Sequence, residues 1–293
     1  MILKKIIIVT FAFAFLITSC DRPGCKDPNA INYNSKANLS DGSCQYNNFK
    51  PLFLETYHLY ESNDFSLDSI YFDDFGTMIK FSRANFYLGK NCFYNSEGMC
   101  FDDTLKYFLI RPNEQIYDLG VFSSVNRWGT DIFQAGINNI DCAFLIGVDS
   151  VNNHQDPALY PSDDPLSYQT PSLHWQMGPD PIDWSYLFIV IEGVADLNSN
   201  GIFDPGEIFV FHLGGDDFTS SVNNFNCTVH DNSDGISYKG NLISSYSIKL
   251  NINWHEIIND IDIKNNNFTH TSDNIPLATK ISNNSNNIIS EYF

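Results

Sequence analysis

The sequence predicts an all-β fold, an antiparallel β-sandwich with long loops. Three observations lead there. Short apolar runs recur along the chain, rich in Phe, Ile and Val and too brief for typical helices. Gly, Asn, Asp and Pro clusters punctuate them. Helical periodicity is weak throughout, and it shows only near the C-terminus. The length suits one large domain or two small ones.

The first twenty residues are a targeting segment. Lys4 and Lys5 precede the apolar run Ile6–Ile17, which ends in Thr18-Ser19-Cys20. Leu16-Ile17-Thr18-Ser19-Cys20 resembles a bacterial lipobox. That resemblance implies acylation of Cys20 after removal of residues 1–19. It also implies a lipid anchor in the envelope of a Gram-negative bacterium, as an outer-membrane lipoprotein. No second apolar run is long enough to span a bilayer. The net charge of −19 argues against nucleic acid as a partner.

Residues 20–46 read as a short Cys-bounded spacer between the anchor and a main domain at 47–293. The remaining six cysteines are Cys25, Cys44, Cys92, Cys100, Cys142 and Cys227. An even number in an exported chain suggests disulfides, and six cysteines allow 15 connectivities. Nearest pairing gives Cys25–Cys44, Cys92–Cys100 and Cys142–Cys227. A zinc site is disfavoured, because no C-x-x-C pair exists.

The main domain opens with a strand through Leu52–Leu59. Short β-like runs follow at Ile70–Phe72, Met78–Phe81 and Asn85–Leu88. A loop from Asn91 to Asp103 carries Cys92 and Cys100. Further strands read at Thr104–Ile110, Ile116–Phe122 and Cys142–Val148. Ser150–Pro171 then lacks periodicity and holds four prolines, and loops of that length are often functional. Tyr186–Glu192 and Ile208–Leu213 read as paired strands buried on both faces. Asn241–Ile252 is another strand, Trp254–Ile263 a strand or short helix, and Ile275–Ser290 a weak helix.

The loop between the central strands, Asp196–Glu207, is DLNSNGIFDPGE. It matches the calcium-loop pattern D-x-[DN]-x-[DN]-G-x5-E at every specified position. Oxygen would come from Asp196, Asn198, Asn200, Asp204 and Glu207, with Ile202 giving its carbonyl and Gly201 permitting the turn. The plain alternative is a polar turn with no ion. The strand flanks suit a structural loop, not a helix-opening sensor.

His174-Trp175 precedes the first central strand, and His212 lies in the apolar run of the second. A buried neutral histidine needs a partner, which is either a core hydrogen bond or a metal. His58 is a third candidate, and Met177 offers a soft thioether. His154, His230, His255 and His270 read as surface or structural.

Several segments together resemble the MbnP family. They are FSRANFYLG (Phe81–Gly89), FLIGVDSVNN (Phe144–Asn153), YPS (Tyr160–Ser162), His174-Trp175, Trp184–Gly193, FVFHLGG (Phe209–Gly215), Thr269-His270, and Ala278 with Ile281 and Asn283. The resemblance spans about Phe49–Phe293. It implies a periplasmic or outer-membrane copper-binding β-sandwich with no catalysis of its own. His58, His174 and His212 would then be copper ligands. Trp175 would be the residue that a di-haem peroxidase partner oxidises to kynurenine. Met177 stands where the family usually has a second Trp, and Gly178–Pro181 is an insertion. A second class of function stays open, a calcium-stabilised adhesion or glycan- or protein-binding lipoprotein. No G-x-S-x-G, H-E-x-x-H or P-loop supports an enzyme.

Overall fold

The first strand of the main unit, β1 (Phe49–Tyr60), buries Leu52, Leu54 and Thr56 on one face and Phe53 on the other, while Glu55, Tyr57 and Leu59 are only partly buried. It is followed by β2 (Met78–Tyr94), β3 (Phe108–Ile110), β4 (Ile116–Ser123) and β5 (Asn139–Ile146). The chain then forms a short helix, α1 (Ser150–Asn153), and the strands β6 (His174–Gln176), β7 (Trp184–Ala195) and β8 (Ile208–Gly214). Last come β9 (Ser220–Tyr238), β10 (Asn241–Asn253), α2 (Trp254–Ile258), β11 (Phe268–His270), α3 (Ile275–Ser285) and β12 (Ile289–Glu291). This is a computed structural model, and it describes residues 22–26, 32–40, 49–94, 107–123 and 139–292. The chain divides into two compact units, Met1–Asn48 and Phe49–Phe293. In the first, Pro23–Gly24 pairs in parallel with Leu39–Ser40. The leader, Cys20, Cys44 and Cys100 lie outside the described residues. Among the described residues no helix is long and apolar enough to cross a membrane.

The fold of the main unit is all-β, as expected. The strand order is β11-β8-β7-β2-β5-β9-β10-β1, with β6 added on β7, β3 on β2, β4 on β1 and β12 on β10. Two neighbours depart from the antiparallel expectation: β10 runs parallel to β1, and β8 runs parallel to β11. The long strand β9 belongs to both halves of the sandwich. Its first part (Ser220–Thr228) pairs with β5 and its second (Val229–Tyr238) with β10. The reading of the sequence assigned no strand there. SSVNNFNCTVHDNSDGISY has no continuous apolar run, and its ladder is interrupted after Val222 and after Asn232. Only the alternation Phe225, Cys227, Val229 betrays it.

Phe81, Phe86, Phe188, Phe209, Phe211, Ile248, Leu250, Ile252 and Trp254 are nearly or wholly inaccessible and fill the interior. Each such side chain contributes roughly 1.5–3 kcal/mol by leaving water. Cys142 and Cys227 are disulfide-bonded to each other across the β5–β9 ladder. Cys25 and Cys92 are also in disulfides.

The ambiguous Trp254–Ile263 segment begins as helix α2, capped by the Asn253 side chain on the His255 N–H. Helix α3 starts at Asn274, whose side chain accepts from Leu277 N, and Pro276 occupies its first turn. It buries Leu277, Ala278, Ile281 and Ser285 on one face. The stretch expected to be one helix to Ser290 ends earlier, and Ile289–Glu291 joins the sheet beside β10.

Candidate metal centre

Strand β8 shows why a histidine sits where it does. Phe209, Phe211 and Leu213 face the core and are fully buried, while Ile208, Val210 and His212 face outward. The expectation that β8 is buried on both faces is therefore corrected. Its neighbour β11 is only three residues long and leaves that face half open. β7, between β8 and β2, is buried on both sides from Tyr186 to Ile191.

Because β8 and β11 run in parallel, His212 is registered directly with His270. Their rings stack with centroids 4.9 Å apart. Trp175 of β6 lies over the pair, 6.4 Å from the His212 ring and 6.0 Å from the His270 ring. The His212 Nε2 bonds the Glu192 Oε1 at 2.8 Å, and Arg83 holds the same oxygen at 3.1 Å. Arg83 also donates to Asn85 and to the Pro171 carbonyl. His270 Nδ1 lies 3.5 Å from the Asp273 carboxylate. Burial lowers the His212 pKa, and Glu192 opposes that. The ring is thus neutral at neutral pH, with Nε2–H on the carboxylate and Nδ1 carrying the lone pair. A carboxylate behind a ring nitrogen is the usual support for a metal-ligating histidine.

The position of Trp175 is set from below. Trp175 is registered with Ser185, and the Ser185 hydroxyl donates to the Tyr186 carbonyl or to Asn153 while accepting from Gly215 N–H. Asn153 of α1 is wholly buried. Its Oδ1 accepts Tyr186 N–H at 2.8 Å and its Nδ2 donates to Asp216 at 2.8 Å. His154 spans the Trp184 carbonyl and the other Asp216 oxygen. Gly214 is required here, since a Cβ would lie 2.6 Å from the Tyr186 carbonyl oxygen and 3.5 Å from the Trp175 ring.

Two of the expected ligands lie elsewhere. His174 occupies the opposite face of β6 from Trp175 and packs on Tyr186 and Trp184. Alternation along a strand separates adjacent residues, so His174 and Trp175 cannot serve one face. His58 lies on β1, with both nitrogens engaged. Its Nδ1 accepts from Trp254 Nε1 at 3.1 Å, and its Nε2 faces Thr56 Oγ1 and the Glu114 carbonyl. His270, read as surface or structural, takes the place beside His212. Thr269-His270 was visible as a family-like pair, but its parallel register with β8 was not.

The Asp196–Glu207 loop joins β7 to β8. Asp196 and Glu207 are buried and turned inward. Asp196 accepts the amides of Asn200 and Gly201, and Glu207 those of Asn198 and Asp204. Asn198 and Asn200 give their carboxamide N–H groups to Asp204. The Ile202 side chain points to solvent. Among the described residues no group of three His, Cys, Asp or Glu side chains is arranged to hold a metal ion, here or at His212.

A family model described as MbnP matches residues 50–274. The chain belongs to the MbnP family. This MbnP-family chain is also similar to a solved structure, MbnP from Methylosinus trichosporium. That likeness has 9% identity and a TM-score of 0.41, and covers 71% of this chain and 77% of the other. No curated protein matches it. In the MbnP-family frame, the family-like segments fall on β2, β5–α1, β6, β7, β8 and β11, the elements that build the Trp175–His212–His270 face.

Proposed function

We propose that this protein binds copper(I) at His212 and His270, beside Trp175, and handles the metal without catalysing a reaction. The observation that carries the reading is the registered, stacked histidine pair with a carboxylate behind each ring and an indole above. Imidazole nitrogen suits copper. Copper(I) accepts two or three donors, whereas structural zinc calls for four and calcium for six to eight oxygens. A site with two imidazoles and no third His, Cys, Asp or Glu ligand among the described residues therefore favours copper(I). Glu192 orients His212, Arg83 holds Glu192, and the Asn153 network holds Trp175 over the pair.

The proposal extends to the rest of the chain. Cys20 carries the lipid that keeps the domain at the bacterial envelope. A haem peroxidase partner would act on Trp175, and the kynurenine amine would then add a nitrogen donor. The Asp196–Glu207 loop takes calcium as a brace, with Asn198 and Asn200 turning their oxygens inward. The inward aim of Asp196 and Glu207 favours that part of the reading.

Elemental analysis with intact mass on protein purified from its native host tests the copper reading. Stoichiometric copper is expected, weakened about a hundredfold or more by His212→Ala with His270→Ala, and unaffected by His174→Ala. The mass distinguishes tryptophan from kynurenine at position 175. Failure to take up copper under reducing conditions would leave an adhesion or binding module in its place.

A further inference from the structure

A cleft of about 530 Å³ opens on the main unit between the β3–β4 turn, the Pro161–Gln169 segment and the tip of the β9–β10 hairpin. Its volume is in the range of small-molecule sites. Arg111 and Lys239 line it, together with Glu114, Asp118, Asp163, Asp164 and an apolar wall that includes Ile116.

Arg111 is held in place before any ligand arrives. Its backbone N–H donates to Tyr117 Oη at 3.1 Å, and Tyr117 in turn donates to the Glu114 carbonyl. The Glu114 N–H closes the turn on the Arg111 carbonyl. Among the described residues the guanidinium makes one hydrogen bond, from Nη2 to Gln169 Oε1 at 2.9 Å. Gln169 is fixed by the Pro165 and Ser167 carbonyls. A guanidinium has five donors in a planar fork matched to a carboxylate. Lys239 stands at the hairpin tip, its ammonium 5.1 Å from the ring centre of Tyr238. Neither cation is in an ion pair among the described residues, although the chain carries 35 acidic and 16 basic residues. Both signs of charge therefore line one cleft, with its two cations unpaired among the described residues.

We propose that this cleft binds a zwitterion, an α-amino acid or dipeptide with an apolar side chain. Its carboxylate docks on the Arg111 fork, with Lys239 adding charge. Its ammonium faces Asp163 and Asp164, and its side chain lies on the wall at Phe108, Leu109 and Ile116. A simple anion would meet four carboxylates against two cations, and a simple amine would leave Arg111 unused. The zwitterion satisfies both signs. The site is separate from the histidine pair and stands independently of the copper reading.

Calorimetric titration of the purified full chain with leucine, leucyl-leucine, isocaproate, isoamylamine and inorganic phosphate tests this. Saturable binding of leucine or leucyl-leucine is expected, with isocaproate and isoamylamine each about tenfold weaker or worse. Arg111→Gln should weaken binding about tenfold or more. Lys239→Gln, on the exposed tip and harmless to folding, should weaken it less. The His212→Ala, His270→Ala variant should bind as the parent does. The proposal is overturned by no saturation with either zwitterion, by isocaproate or phosphate binding equally well, or by affinity that neither cation variant changes.

Discussion

Burial lowers the basicity of His58 and His212, among others, and at these two it serves different ends. At His58 the pKa falls to about 4 through desolvation. Its Nδ1 must stay unprotonated to accept the Trp254 indole N–H, so protonation breaks a buried hydrogen bond. The sign follows from the depressed folded value. Between about pH 6.5 and 4 the unfolded chain binds this proton and the folded chain does not. Stability is full above that window and is lost as pH falls through it, by about 3 kcal/mol from this group. His58→Gln should flatten the slope of unfolding free energy against pH in that window; an unchanged slope would assign the acid sensitivity elsewhere. At His212 burial leaves a neutral ring in a half-open place, where the lone pair can meet a ligand. The sequence showed that both residues were histidines in apolar strands. It did not separate them, because the separation lies in partners contributed by Trp254 and Glu192, remote in sequence.

At the scale of elements, α1 and β6 decide whether the site has its third wall. Asn153 serves Tyr186 N–H, Ser185 Oγ and Asp216 from a wholly buried position. Asn153→Ala should cost about 2–4 kcal/mol, since it orphans buried polar groups. Copper affinity should drop with it while the His212–His270 register persists, which paired thermal melts and metal titrations would read. The β7–β8 loop carries its own expectation. Calcium should raise the melting temperature at millimolar concentration. Asp196→Asn with Glu207→Gln should abolish that rise, and a melt indifferent to both calcium and chelator would return the loop to a polar turn. β7, β8 and the position of the turn between them were legible because their residues are contiguous and the strands follow apolar-run rules. β9 was not, since its polar sequence is made a strand by β5 and β10. The His212–His270 pair was hidden for a related reason: parallel register is fixed by the fold, and no local spacing encodes it.

At the scale of the whole molecule, Cys142–Cys227 closes a span of 85 residues that includes α1, β6, β7 and β8. Removing the bond with Cys142→Ala and Cys227→Ala should lower stability by up to about 4.5 kcal/mol on chain-entropy grounds. Chemical denaturation of the two forms would measure the difference. The antiparallel sandwich expected from the run spacing holds for most ladders, and the two parallel ones are where the chain crosses over itself.

The β1–β10 ladder pairs Leu52 with Tyr246 and Leu59 with Asn253, joining the two ends of the domain. A chain exported in N-to-C order therefore presents β1 long before its partner has left the translocation channel. Until β10 arrives, β1 offers Leu52 and Leu54 to water with half its backbone groups unmatched. Under the export proposed above, completion of the main unit waits for the release of β10. Truncation before Asn241, which removes β10, should leave β1 without that partner and yield an aggregating chain, which the soluble yields of truncated and full chains would measure.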